Sequence, residues 1–201
     1  MKNDITIDKQ GFTPWDDYCP VITEGQHTDV FLTSAIEAPD EYNKLYHRLN
    51  NAYSSETITL HINNGGGYID TAFMLIDAIK NTKATVCAKL SGTVASASTI
   101  IALSCKDIVV AEHTAFMVHN YSGGAQGKGH ELKAQMDFTD KGLNDAFKSI
   151  YGGFLTANEM ELVIAGKDYW FNKSEVESRW NAMQSKNTGA LDKLAADKKG
   201  K

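Results

Sequence analysis

Three consecutive glycines, Gly65–Gly67, stand between the alternating run Thr57-Ile-Thr-Leu-His-Ile62 and an amphipathic stretch carrying Ala72, Phe73, Ile76 and Ile79. Glycines so placed make either a tight turn or a site where backbone N–H groups approach a ligand unobstructed. The run is not G-x-G-x-x-G and no Lys-Ser/Thr follows it, so dinucleotide and P-loop chemistry are poorly supported. Further on, Gly92-Thr-Val-Ala-Ser-Ala-Ser-Thr99 sets Ser96 and Ser98 among small residues at the head of an apolar segment. Serines in such a place cap or pack a helix, or serve as nucleophiles. The segment lacks the G-x-S-x-G elbow, which disfavours an ordinary α/β-hydrolase. His119 closes the apolar run Ala115-Phe-Met-Val-His, where histidine is a structural residue or a catalytic one. Asp168 lies in Gly166-Lys-Asp-Tyr-Trp-Phe171, as a turn residue, a helix cap or a functional acid beside aromatics. No Cys/His cluster has metal-ligand spacing, and no metal is expected.

The elements that must position these residues alternate between strand and helix. Residues 29–33 and 57–62 read as strands, the second by its period of two and its β-branched residues. A helix is expected from Asp40, with Tyr42, Leu45, Tyr46 and Leu49 at i, i+3, i+4, i+7. Residues 84–89 read as a strand, Ser91-Gly92 as a turn, and 94–103 as a short apolar helix. Strands at 107–111 and 115–119 follow. After the glycine-rich segment 122–129, a helix is expected over 130–151 with Leu132, Met136, Leu143, Phe147 and Ile150 on one stripe. Thr156-Ala-Asn-Glu159 has the form of a capping box opening another helix, and Asn172-Lys-Ser-Glu175 is a second candidate. This alternation predicts an α/β fold with a mostly parallel sheet. All three prolines, Pro14, Pro20 and Pro39, lie in the first 39 residues, and residues 1–28 read as an irregular arm. Residues 181–201 read as a Lys-rich tail that frays.

Of the 201 residues 42% are hydrophobic, enough for a core, and the formal charge of −5 argues against nucleic acid as a partner. The tail carries five Lys and two Asp, so the −5 divides into +3 there and −8 over residues 1–180. No run is long and apolar enough to span a bilayer, and charges in MKNDITIDKQ interrupt any export signal, so no membrane association is expected. Cys19, Cys87 and Cys105 are an odd, dispersed set. With Cys87 and Cys105 read as core residues, a reduced, cytoplasmic protein is expected.

Taken in order, the motifs resemble those of the Clp protease proteolytic subunits, the ClpP family, within the crotonase-like superfamily. Ile62-Asn-Asn-Gly-Gly-Gly67 is similar to the family's I-N-S-P-G-G, Gly92-Thr-Val-Ala-Ser-Ala97 to its G-Q-A-A-S-M, and Met117-Val-His119 to its M-I-H. Asp168-Tyr-Trp-Phe-Asn-Lys-Ser-Glu175 is similar to D-R-F-L-S-A-P-E. The separations are 29 residues from Gly67 to Ser96, 23 from Ser96 to His119 and 49 from His119 to Asp168. The resemblance covers roughly residues 29–178, and a divergent relative, such as a phage-encoded one, would look like this. Gly65 stands where the family carries Pro, and Arg179-Trp180 with the Lys-rich tail replaces the family's ending.

The resemblance implies a fold of repeated β-β-α units over residues 29–180, with 122–151 forming a handle. It implies a serine endopeptidase in which Ser96 attacks the peptide carbonyl, His119 takes and returns the proton, and Asp168 orients the imidazole. Oxyanion donors would be the Gly67 and Ala97 N–H groups. Substrate would pair beside Gly66, Tyr68 and Ile69 and beside Asn120 and Tyr121. No cofactor is implied. The handle implies a homo-oligomer, heptameric rings stacked in two, enclosing a polypeptide substrate. An AAA+ unfoldase partner belongs to the family pattern, but the N-terminal arm does not resemble the segment that meets it. Two other readings stand beside this one. One is an inactive ring subunit; the other is a crotonase-like acyl-CoA enzyme, for which Asp70 is the one acid near the glycines.

Overall fold

A computed structural model describes residues 17–124 and 126–199, with side chains described as far as residue 188. The chain divides into two compact units, residues 1–117 and 118–201.

In the first unit, strands β1 (Val21–Glu24) and β2 (His27–Leu32) form an antiparallel hairpin around Gly25, whose φ of 58° makes the turn. The hairpin corrects the expectation of an irregular arm to residue 28; residues 1–16 of that arm lie outside the described residues. A 3₁₀ turn over Pro39–Tyr42 leads into α1 (Asn43–Asn51). Leu45 and Leu49 are buried as the periodicity predicts, while Tyr46 is 41% exposed and belongs to the solvent face. Strand β3 (Thr57–Asn64) pairs in parallel with β2 on one side and with β4 (Thr85–Ala95) on the other. Helix α2 (Ile69–Asn81) connects β3 to β4 and buries Ala72, Leu75, Ile76 and Ile79.

Two expectations fail in β4. The strand runs through Ser91-Gly92 rather than turning there, and it continues to Ala95, so the helix that follows is shorter, α3 (Ala97–Leu103). The physical reason is a change of partner. Residues 87–90 pair with β5 (Asp107–Val110), and residues 93–95 pair with β6 (Ala115–Val118). Gly92, at φ 59°, is the joint between the two ladders and makes a bend inside one strand. Ile58, Leu60 and Ile62 of β3 and every residue of α3 are buried, so the core lies under the segments that lead to the serines. Cys105 and Cys19 are buried, and burial, with Asp17 nearby, pushes the Cys19 thiol up to about 12. Cys87 is only half-buried, contrary to expectation, because it shares the face of β4 that carries the exposed Lys89, opposite the buried Val86, Ala88 and Leu90.

In the second unit, the glycine-rich segment is followed by α4 (Gly129–Tyr151). Leu143 and Phe147 are buried toward its C-terminal end, whereas Met136 is 54% and Phe138 82% exposed. Helix α5 (Ala157–Ile164) opens with the expected capping box, the Glu159 N–H donating to Thr156 Oγ1 and the Thr156 N–H to Glu159 Oε2. Strand β7 (Tyr169–Phe171) leads to α6 (Lys173–Lys199). Asn172 and Glu175 cap α6 reciprocally, at 3.1 and 2.9 Å. From residue 181 the chain is helical as far as Lys199. Ala and Lys in that segment are good helix formers.

Candidate active site

The glycine loop is shaped from two sides. Ile36 donates its N–H to the Gly66 carbonyl (2.9 Å) and accepts from the Tyr68 N–H (2.7 Å), making a one-residue parallel bridge opposite Gly67. Because a bridged residue is flanked by the bonds of its neighbours, the N–H and C=O of Gly67 itself face the other edge. Gly66 and Gly67 have φ of 91° and 152°, where side chains are strained. A Cβ on Gly67 would lie 2.1 Å from the Ile36 oxygen. For a peptide seeking backbone partners, the Ile36 edge is therefore closed and the Gly67 edge is open. Tyr68 is 58% exposed, and Ile69 begins α2 beside it.

On the inner side stands Asn64, at the end of β3 and 7% exposed. Its Nδ2 donates to the Leu32 carbonyl (2.8 Å), and its Oδ1 accepts from the Gly66 N–H (2.8 Å) and from the Ser98 hydroxyl. Next to it, the Asn63 side chain accepts the Thr93 N–H (3.1 Å) where the β3–β4 register shifts. Sequence reasoning passed over Asn64 and Ile36. The available signal was a polar residue continuing the apolar phase of Ile58, Leu60 and Ile62 directly before the glycines.

Ser96 occupies the junction of β4 and α3 with φ 55° and ψ −126°, alone among the described non-glycine residues in having positive φ. Such a conformation costs on the order of 1–3 kcal/mol and persists only where its surroundings enforce it. Here the Ser96 N–H donates to the Met117 carbonyl (2.9 Å), and the Ser96 carbonyl accepts from the Thr99 N–H (2.9 Å) and hydroxyl (2.6 Å). The sharp strand-to-helix turn thus forms without the G-x-S-x-G glycines. Flanking Ala95 and Ala97 are small enough for the close packing. Within this unit the Ser96 hydroxyl makes no hydrogen bond, whereas Ser98 is fully buried and its hydroxyl is committed to Asn64. The N–H of Ala97, first residue of α3, has no intrahelical acceptor. Gly66 packs directly on this turn: a Cβ there would stand 2.6 Å from Ser96 Cβ and 2.9 Å from the Ala97 nitrogen.

His119, half-buried, immediately follows β6 in the second unit. Asn120 donates to the Ile164 carbonyl (2.9 Å) and accepts the Tyr121 N–H (2.9 Å), while the Tyr121 hydroxyl donates to the Asp140 carboxylate. Asp168 is exposed in the turn between α5 and β7. Gly166, at φ 100°, ends α5 there, with the Gly166 and Lys167 N–H groups donating to Val163 and Leu162. Behind the turn, Arg179 clasps Glu159 through both terminal nitrogens (2.9 and 2.7 Å) and donates to the Phe154 carbonyl (3.0 Å). Its guanidinium also lies 4.4 Å from the centre of the Phe171 ring. That hydrogen-bonded cation pulls the Glu159 carboxyl down to about 2. The structure therefore brings Gly66, Gly67, Ser96 and Ala97 together in the first unit. His119 and Asp168 lie in the second, and no hydrogen bond joins those two. Asp70 is exposed in the first turn of α2. Among the described residues no group of three or more His, Cys, Asp or Glu side chains could hold a metal ion, and no helix is long and apolar enough to cross a membrane.

A family model described as Clp protease matches residues 23–193. The chain belongs to the Clp protease family. Its similarity to curated members is modest. It is 26% identical over 130 residues to the ATP-dependent Clp protease proteolytic subunit 3 of Rhizobium etli. It is likewise 26% identical over 131 residues to the protein of the same name from Rhizobium meliloti. Each alignment takes in 63% of this chain and 66% of the relative. Both the glycine loop and the Ser96 turn fall inside the span matched by the Clp protease model.

Proposed function

We propose that the chain is a serine-type endopeptidase of the Clp protease kind, with residues 29–180 as its peptidase domain. The observation that carries this reading is the Ser96 backbone. A conformation that costs free energy is enforced at one serine, at the head of a helix, with glycine backbone packed against it. A merely structural serine needs no such conformation, and the buried neighbour Ser98 has an ordinary helical one.

In the proposed reaction Ser96 Oγ attacks the peptide carbonyl carbon while His119 takes its proton. The Gly67 and Ala97 N–H groups hold the resulting oxyanion. Collapse breaks the C–N bond, His119 gives the proton to the leaving amine, and water repeats the sequence to release Ser96. Asp168 holds the tautomer of His119 and stabilises the imidazolium. The substrate backbone pairs with the open Gly67 edge beside Gly66, Tyr68 and Ile69, and with the segment after His119 that begins at Asn120 and Tyr121. The protein works as a homo-oligomer, in rings built through the handle 122–151. The exposed Met136 and Phe138 of α4 support this, since apolar side chains of that size are normally covered. Neither the acyl-CoA nor the inactive-subunit reading has a comparable observation behind it.

Hydrolysis of a fluorogenic peptide by the purified chain tests the proposal. Ser96→Ala is expected to lower kcat by on the order of 10⁶ and Asp168→Asn by on the order of 10⁴. Turnover by Ser96→Ala at the wild-type rate would overturn it.

A further inference from the structure

We propose that Asn64 is a positioning residue for the reaction, and that Ser98 is the second half of the same device. This rests on the peptidase reading of Ser96 given above. The Asn64 amide is buried and lies between groups of fixed polarity. It faces a backbone carbonyl, Leu32, on its Nδ2 side and a backbone N–H, Gly66, on its Oδ1 side. Neither can change role, so the amide has one orientation, and the Ser98 hydroxyl must donate to the same Oδ1. One planar group therefore ties three elements together: the end of β2, the glycine loop and the first turns of α3.

The consequence is geometric. Gly66 directly precedes Gly67, and Ser98 directly follows Ala97, so the tie joins the two segments whose N–H groups would hold the oxyanion. The loop has little intrinsic rigidity, because its three glycines adopt many conformations. Ile36 fixes one edge of that loop, but only through the Gly66 carbonyl and the Tyr68 N–H. The Gly66 N–H, and with it the position of the loop against α3, is fixed by Asn64. Misplacing donors by about 1 Å costs on the order of 10² in rate, and the loss falls in the transition state rather than in substrate binding.

The test compares wild type, Ser98→Ala, Asn64→Ala and the double variant of the full chain. Each is assayed on a fluorogenic peptide and titrated with the boronic acid of the same peptide, which mimics the tetrahedral adduct. Ser98→Ala removes one donor and leaves the fold intact. Its kcat should fall roughly 3–10-fold with KM within about twofold, and boronate affinity should fall in step. Asn64→Ala should lower kcat by on the order of 10²–10³, as for a lost oxyanion donor. Adding Ser98→Ala to it should change nothing further, because Ser98 acts only through Asn64. Wild-type kcat and boronate affinity in a folded Ser98→Ala would overturn the proposal, as would a loss confined to KM or additive losses in the double variant. If Asn64→Ala does not fold, Ser98→Ala alone decides. Absence of Ser96-dependent hydrolysis in the wild type would instead overturn the peptidase reading, and this proposal with it.

Discussion

Replacing Gly66 by alanine, with Gly65→Ala as its control, separates a glycine required by packing from one that is not. A Cβ on Gly66 would stand 2.6 Å from Ser96 Cβ, 2.7 Å from the Ala95 carbonyl oxygen and 2.9 Å from the Ala97 nitrogen. Two of those three neighbours are backbone and cannot rotate away. Ordinary contact would need the loop to move by more than half an ångström from the Ser96 turn. The φ of 91° adds strain of its own. Overpacking and unfavourable φ together amount to roughly 2–5 kcal/mol. For a chain of this size that is a fall in melting temperature of about 5–15 °C. Gly65, one residue earlier, has nothing within 4 Å of its would-be Cβ and no positive φ. Gly65→Ala should stay within about 0.5 kcal/mol of wild type. Thermal unfolding followed by circular dichroism measures both, and peptide hydrolysis should fall on the order of 10² for Gly66→Ala. Equal melting temperatures and rates for the two variants would refute the reasoning, because only Gly66 of the two meets the Ser96 turn.

Acidification should destabilise the second unit through Glu159. Its folded-state carboxyl titrates near 2, against an ordinary 4.5, so its contribution is complete above about pH 4.5 and disappears as pH falls toward 2. Arg179→Met should cost roughly 1–3 kcal/mol at neutral pH and flatten that acid dependence, measured by denaturant unfolding at pH 7 and pH 3; an unchanged difference between the two pH values would refute the assignment. Deleting residues 123–129 should break a double ring into single rings or smaller species on sedimentation. Ordering glycine-rich backbone costs about 1–2 kcal/mol per residue, and pairing with a second subunit would offset it. A full-length chain that sediments as an active monomer would refute the assembly.

Much of the fold was legible because periodicity reports burial. The alternation at 57–62 placed β3, and the two capping boxes placed the starts of α5 and α6. What escaped depends on partners distant in sequence. Residues 91–92 look like a turn locally, but β4 passes through them by exchanging β5 for β6. Residues 29–33 read as a strand and are one, within β2, but its hairpin partner β1 was hidden by Pro20 directly before it. At the site, residue types and their order pointed to Gly67, Ser96 and Ala97. The positive φ of Ser96 had no signature, because alanines rather than glycines flank it. Asn64 was illegible for a similar reason: its value lies in reaching Leu32 and Ser98, each 32–34 residues away.

Covalent labelling addresses the nucleophile without depending on which peptide the protein prefers. The full chain is treated with a fluorophosphonate probe, digested, and its adduct located by mass spectrometry. The account predicts a single adduct on Ser96, formed in the wild type and absent in Ser96→Ala, with Ser98 unmodified. A wild-type chain that takes no label, or one labelled at another serine while Ser96 stays free, would contradict it.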